Sequence, residues 1–372
     1  MILLLLVGSW VYCILILVAA RKFLVVRPPV SAAGIGVSIL KPLSGLDEGL
    51  EDNLRSFFMQ DYQGPIEILF AVRQQSDAAV PVVRRLQALY PHVASKLLIV
   101  GEPPYPNAKV WSLDHMMQQA ANDLLIMSDS DIRVDPNLVR VTAAEFAEDP
   151  KLGVATCPYR AIAGASVWSR LEAVGMNTEF FGGVLVARML EGMHFAVGPT
   201  IVARKRCLLE IGGFERLNQY LAEDFMMGKL AADGGWKVIL SSYVVDHRIG
   251  SESFSRNAAH RIRWARSTRR SRPAGYVGQV FTNPLPIALL LVCADPRLWP
   301  LVLPLTLLLR GLAAYAVARL VLGARIDWLL LPLQDLLSFI FWMAGFFGNT
   351  IEWRGRRYRL HGDGTFTPLK TD

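Results

Sequence analysis

A chain of 372 residues that is 52% hydrophobic, with a mean hydropathy of +0.32, is too apolar to be a purely soluble enzyme of this size. Its net charge of +7 gathers near apolar segments, where anionic lipid headgroups or a phosphate-bearing substrate explain it as well as nucleic acid would; no nucleic-acid motif is present. The four cysteines, Cys13, Cys157, Cys207 and Cys293, are scattered, so neither a zinc spacing nor a disulfide framework is apparent, which suits a reducing compartment.

Residues 2–20, ILLLLVGSWVYCILILVAA, carry no charge and are long enough to cross a bilayer, which takes about 20 residues. A cleaved signal has its positive charge before the apolar run and a small-residue site after it. Here Arg21, Lys22 and Arg27 come after the run instead, so the segment (1–22) reads as a retained transmembrane anchor. By the positive-inside rule, the globular domain beyond this anchor is expected in the cytoplasm.

The next stretch alternates strand and helix patterns. GVSILKPL (36–43), IEILFAV (66–72), SKLLIVG (95–101) and DLLIMSD (123–129) read as strands. DEGLEDNLRSFFMQD (47–61), DAAVPVVRRLQALYP (77–91) and VWSLDHMMQQAAN (110–122) read as the helices between them. That alternation implies parallel βαβ units. Ligands of open parallel sheets sit beyond the carboxyl ends of the strands. Asp77 lies just past the second strand, and Asp129 and Asp131 end the fourth. A D-x-D pair at a strand tip suits a divalent ion, because carboxylate oxygens are the hard ligands that Mg²⁺ or Mn²⁺ takes together with substrate phosphates. An ordinary strand-to-turn transition also favours Asp and Ser, so the pair needs support from elsewhere.

Two later stretches supply it. NQYLAEDFMMGKLAADGGWKV (218–238) places Glu223 and Asp224 at the head of a helix-like run. AAHRIRWARSTRRSRP (258–273) sets Arg263 and Trp264 in a dense basic segment that also reads as an amphipathic helix on the membrane. GPTIVARKRCLLEIGGF (198–214) reads as a strand, turn and helix with a structural role. His194 and His247, with no partner at metal spacing, read as surface or structural. The apolar region at about 284–350 is broken at 294–297 and 323–327. It offers two spans, 299–322 and 328–349, while 281–294, with Pro284 and Pro286, reads as re-entrant or interfacial. The basic tail EWRGRRYRL (352–360) is expected in the cytoplasm, which requires an even number of crossings after the globular domain.

These motifs, in this order, make the chain resemble the ceramide glucosyltransferase family, glycosyltransferase family 21, whose relatives are the inverting family 2 enzymes. The matching pieces are GVSILKPLSGLD, FFMQDY, SDSDIRV, YLAEDFMM, GGWKV and RIRW. The resemblance implies an α/β fold: a GT-A type, Rossmann-like, mostly parallel sheet domain at 34–257, with the N-terminal anchor, an amphipathic interface segment at 258–280, membrane helices within 281–350 and a cytoplasmic tail at 351–372. The expected source is bacterial and the expected location the cell inner membrane, with the catalytic domain cytoplasmic.

The family pattern of three aspartates followed by (Q/R)xxRW falls on Asp77, on Asp129–Asp131, on Asp224, and on His260 to Trp264. His260 stands where Gln or Arg is usual, and Arg261 offers a replacement charge. The resemblance implies transfer of glucose from UDP-glucose to the primary hydroxyl of ceramide. Asp224 is then the general base, with Arg263 and Trp264 as further catalytic residues. Asp129 and Asp131 hold Mg²⁺ or Mn²⁺, and Asp77, Lys109, Asp129 and Arg261 bind the nucleotide sugar. Bacterial hopanoid N-acetylglucosaminyltransferases using UDP-GlcNAc share most of these motifs and are the main alternative. A processive polysaccharide synthase would need a larger membrane cluster. A non-catalytic receptor would not need three acidic sites beyond strand ends.

Overall fold

The structure, a computed structural model, describes residues 1–26, 34–353 and 356–369; Arg27 and Arg354, which belong to the basic flanks, lie outside the described residues. The chain divides into two compact units. One comprises Arg27–Tyr159 and Met193–Arg248, the other Met1–Val26, Arg160–Gly192 and Ile249–Asp372.

The first unit is an α/β sheet domain. Its strands are β1 (Val37–Pro42), β2 (Ile66–Val72), β3 (Ala94–Ile99), β4 (Leu124–Ser128), β5 (Ile132–Arg133), β6 (Leu152–Thr156), β7 (Thr200–Arg204), β8 (Lys237–Leu240) and β9 (Val245–Ile249). Seven of them form one sheet in the order β3-β2-β1-β4-β7-β6-β8. β1 pairs in parallel with both β2 and β4, and β2 with β3. β7 runs antiparallel between β4 and β6, so the sheet is mostly rather than wholly parallel. The buried runs Ile39–Leu40, Ile68–Val72 and Leu124–Ile126 explain the central strands: covered by helices on both faces, they read as continuous apolar stretches. Because the chain leaves β1 for β2 and later returns to its other side as β4, a crevice opens at the carboxyl ends of β1 and β4. β5 pairs antiparallel with β9, with His247 opposite Ile132.

The second unit is helical and apolar. Two of its helices, Ile2–Leu24 and Pro296–Val321, are long and apolar enough to cross a membrane, with mean hydropathies of 2.8 and 1.9. The pair Pro273–Thr282 and Pro284–Ala294 bends by 61° at Asn283, a broken span or a re-entrant loop. That suits the expectation for 281–294: each proline removes a backbone donor and constrains the turn before it. The expected span 328–349 is shorter in the structure. Its helix, Leu331–Gly345, has 15 residues, or about 22 Å at 1.5 Å per residue, against a hydrocarbon core of about 30 Å.

Residues Arg160–Gly192, expected within the globular domain, group with these helices instead. The cause is local. Gly182 lets helix Phe181–Glu191 lie close against Ile2–Leu24, since a β-carbon there would stand 3.1 Å from Ile16. Arg310 and Asp335, both almost fully buried, form a two-pronged ion pair inside this unit.

Candidate active site

β4 delivers Asp129 and Asp131 to the crevice, and neighbouring elements give the two carboxylates different environments. The Asp129 backbone is anchored by its N–H to Pro199 O at 2.8 Å. Its side chain meets Lys109, whose Nζ lies 2.7 Å from Asp129 Oδ1 and 3.1 Å from Glu223 Oε1. Burial alone would lower the Lys109 pKa, but Asp129 and Glu223 outweigh it and hold the ammonium charged. Lys109 is thus a bridge between acidic groups in this structure, on a helix (Ala108–Gln119) capped by Asn107.

Asp131 is held differently. His247 Nε2 lies 3.1 Å from Asp131 Oδ2, and Tyr159 meets the imidazole edge-on at 5.7 Å. Burial pushes the Asp131 carboxyl up, yet His247 and then Lys41 reverse that and leave it below the usual carboxylate range. Its other oxygen, Oδ1, is closed to solvent and has no hydrogen-bond partner among the described residues. A charged oxygen in that state calls for a cation.

Lys41, which no sequence motif singles out, sits behind both aspartates. It is fully buried on β1 and donates to Ser128 Oγ and to the Asp129 carbonyl. Its ammonium also stacks over Phe57, 4.0 Å from the ring centroid. Burial lowers its pKa to about 7, against the pull of Asp129 and Asp131. It fixes the turn from which both carboxylates project.

Glu223 and Asp224 open helix Glu223–Asp233, where the exposed N–H groups favour negative charge. Glu223 is 8% exposed and engaged by Lys109 and by Asn107 Nδ2. Among the described residues Asp224 accepts only backbone N–H groups, Gly198 N on Oδ2 at 2.8 Å and Phe225 N on Oδ1 at 2.7 Å. Each of its oxygens keeps a further lone pair. Burial, then the charge of Glu223, raises the Asp224 pKa to about 6, in the range where a carboxylate serves as a base near neutrality. Asp77 accepts from Gly45 N and Ala79 N; it ties the loop after β1 to the start of helix Ala79–Leu89.

The residues of the last motif lie in the other unit, on helix Phe254–Ser271. Arg261 donates to Gln334 Oε1 and Ser338 Oγ and stacks over Phe341. Arg263 lies 6.0 Å from the Trp353 ring centroid. Trp264 packs against His260 at 4.3 Å and Phe180 at 6.4 Å. His260, in place of the usual Gln or Arg, sets its Nδ1 3.2 Å from Glu172 Oε1. His194 is exposed.

The sequence profile described as Glycosyl transferase family 21 matches residues 1–366. The chain belongs to this family. Over 212 residues it is 32% identical to ceramide glucosyltransferase 1 of Caenorhabditis elegans, covering 56% of this chain and 44% of that protein. Over 231 residues it is 29% identical to ceramide glucosyltransferase 3 of the same organism, covering 62% and 50%. The chain thus spans about half the length of the curated relatives it matches. Its fold is like that of the mannosyltransferase PcManGT from Pyrobaculum calidifontis, solved with GDP-Man and Mn²⁺: the TM-score is 0.56 at 15% identity, covering 93% of this chain and 96% of that one.

In this family 21 chain the donor set fits a divalent ion. Asp131 offers an orphaned charged oxygen, and Asp129 lies two residues away with its charge shared by Lys109. His247 orients Asp131 from the far side. Partners of this kind typically contribute about 10–100-fold to metal affinity. His247→Ala is therefore expected to weaken Mn²⁺ binding by about that factor, read by calorimetry on the full chain. Unchanged affinity would mean that the β4–β5 turn aims Asp131 without help.

Proposed function

We propose that this chain is a membrane-bound inverting glycosyltransferase that moves glucose from UDP-glucose to the primary hydroxyl of ceramide. The observation that carries this reading is the differentiated acid cluster: a strand-tip pair, one of whose oxygens has no hydrogen-bond partner among the described residues, joined through Lys109 and Glu223 to an aspartate whose pKa lies near 6. The first suits a diphosphate donor, the second an alcohol acceptor. The family and the names of its relatives support this choice of substrates.

A divalent ion on Asp131 and Asp129, Mg²⁺ or Mn²⁺, would offset the charge that develops on the departing diphosphate. Lys109 keeps Asp129 and Glu223 at fixed positions, and Lys41 holds the turn beneath them. Asp77 steadies the loop after β1, which we assign to the uridine side. Asp224 accepts the proton of the acceptor hydroxyl as the new C1–O bond forms and the C1–O bond to UDP breaks, inverting the anomeric centre in one displacement. Arg263 is assigned to the diphosphate and Trp264 to the acceptor, as the family motif implies; Arg261, given its partners, supports the helix that carries them. The basic residues after the first span support a cytoplasmic sheet domain.

The test is a two-by-two assay in which ceramide and a hopanoid alcohol are each offered UDP-glucose and UDP-GlcNAc with the full chain in lipid. Glucosylceramide is the expected product. Transfer of N-acetylglucosamine to the hopanoid alone would replace both substrates while keeping the chemistry. No UDP release from either donor, with or without a divalent ion, would overturn the enzymatic reading.

A further inference from the structure

The helical unit contains polar chemistry that the proposed reaction does not use. Gln334, Asp335 and Ser338 are buried on helix Leu331–Gly345. Most of their hydrogen bonds close within the unit. Arg310 donates to both oxygens of Asp335 and to Thr178 Oγ1, and the Thr178 hydroxyl donates in turn to Val174 O. Arg261 donates to Gln334 Oε1 and Ser338 Oγ, and Gln334 Nε2 donates to Ser338 Oγ at 2.6 Å. Both lone pairs of the Ser338 hydroxyl are therefore occupied, which leaves its proton to Glu179.

Next to this network an acceptor remains open. Glu179 Oε2 is closed to solvent and has no hydrogen-bond partner among the described residues. The residue as a whole is only partly covered. Glu179 lies on the π-helical turn Met176–Phe180, and Phe180, next to it, packs against Trp264. An unpartnered buried acceptor is destabilising, more so when charged, and a hydrocarbon surrounding has no water to satisfy it.

We propose that Glu179 is a binding site for the uncharged hydrogen-bond donors, hydroxyl or amide N–H, of a lipid headgroup. Arg310 is ion-paired to Asp335 and Arg261 is hydrogen-bonded to Gln334 and Ser338, so what Glu179 lacks is a hydrogen-bond donor, which an ionised phosphate does not supply. This site rests on the lipid-acceptor reading and adds a specificity determinant to it: the ligand must donate, not merely be apolar.

The experiment uses the full chain in nanodiscs. Direct binding and acceptor KM are measured for ceramide, its N-methyl and O-methyl analogues, and phosphatidic acid. Glu179→Ala is expected to weaken ceramide binding about 10-fold, as loss of one hydrogen bond to a charged group predicts, and to erase the preference for ceramide over its methylated analogues. Glu179→Gln keeps an acceptor oxygen and should recover most of the binding. UDP-sugar affinity should not change. Unchanged ceramide affinity and analogue preference in Glu179→Ala would overturn the proposal, most clearly if stability fell as well, since Glu179 would then be an internal structural acid. Binding is read without turnover. Wild-type protein that binds ceramide through Glu179 but glycosylates no lipid would therefore sink the proposed function and leave this site standing.

Discussion

Asp131→Ala is expected to abolish transfer while leaving the chain folded and membrane-bound. About 35% of the Asp131 side chain is exposed at the tip of the β4–β5 turn, so its removal opens no core cavity. What it removes is the oxygen of the strand-tip pair that is charged, closed to solvent and unclaimed among the described residues. Charge stabilisation by a metal at a departing phosphate is worth several kcal/mol, or about 10³-fold or more in rate. EDTA should inhibit the wild type to a similar degree, with Mn²⁺ or Mg²⁺ restoring turnover, and should have no further effect on the variant. Asp129→Ala should behave differently, because it leaves the Lys109 ammonium with one direct partner fewer. Its loss of activity should come with a loss of thermal stability. Full turnover of wild-type enzyme in EDTA would remove the metal from the scheme and leave Asp131 as an acceptor of some other positive charge.

The contrast between those aspartates shows what the amino-acid order could and could not reveal. LLIMS and then DSD placed both carboxylates at a strand end, because a fully buried parallel strand reads as an unbroken apolar run and its polar exit is abrupt. The same logic found the first four strands to within two residues at either end. It could not tell that Lys109 would neutralise one carboxylate and His247 orient the other. His247 is 116 residues from Asp131, and the antiparallel β5–β9 pairing that joins them has only two residues on one side. Lys41 was hidden for the opposite reason. A lysine near the end of GVSILKPL looks like the point where a strand meets water, whereas its ammonium is buried beneath the turn.

The membrane part shows a similar division. Apolar length identified Ile2–Leu24 and Pro296–Val321, since hydropathy is a local sum. The grouping of Arg160–Gly192 with them depends on a glycine contact and on the polar contacts of Thr178 with Arg310, which local composition does not express.

The remaining question is which of two adjacent carboxylates takes the proton. Both open the same helix, and sequence alone leaves them equivalent apart from the roughly 100° that separates neighbours on a helix. The structure separates them by their partners. Glu223 is buried against Lys109 and Asn107, whereas Asp224 is held only by two backbone N–H groups and has its pKa raised to about 6 by burial and by Glu223. Asp224→Asn should therefore lower kcat by about 10²-fold or more with UDP-sugar binding retained. The amide cannot accept from both Gly198 and Phe225, so one of those bonds is lost at about 1 kcal/mol, and donor affinity must be measured separately. In the wild type, kcat/KM should climb through about pH 6 as the base form appears. Stability carries the opposite sign: a folded pKa of about 6 against an ordinary 3.8 means the native state holds this proton more tightly. The contribution of Asp224 to stability therefore declines as pH rises from about 4 to about 6, and Asn should flatten that slope. Glu223→Gln should reduce kcat less, mainly by loosening Lys109. If Asp224→Asn keeps its kcat and the limb near pH 6 while Glu223→Gln is inactive, the proton goes to Glu223, and the two backbone N–H groups on Asp224 serve only to start the helix.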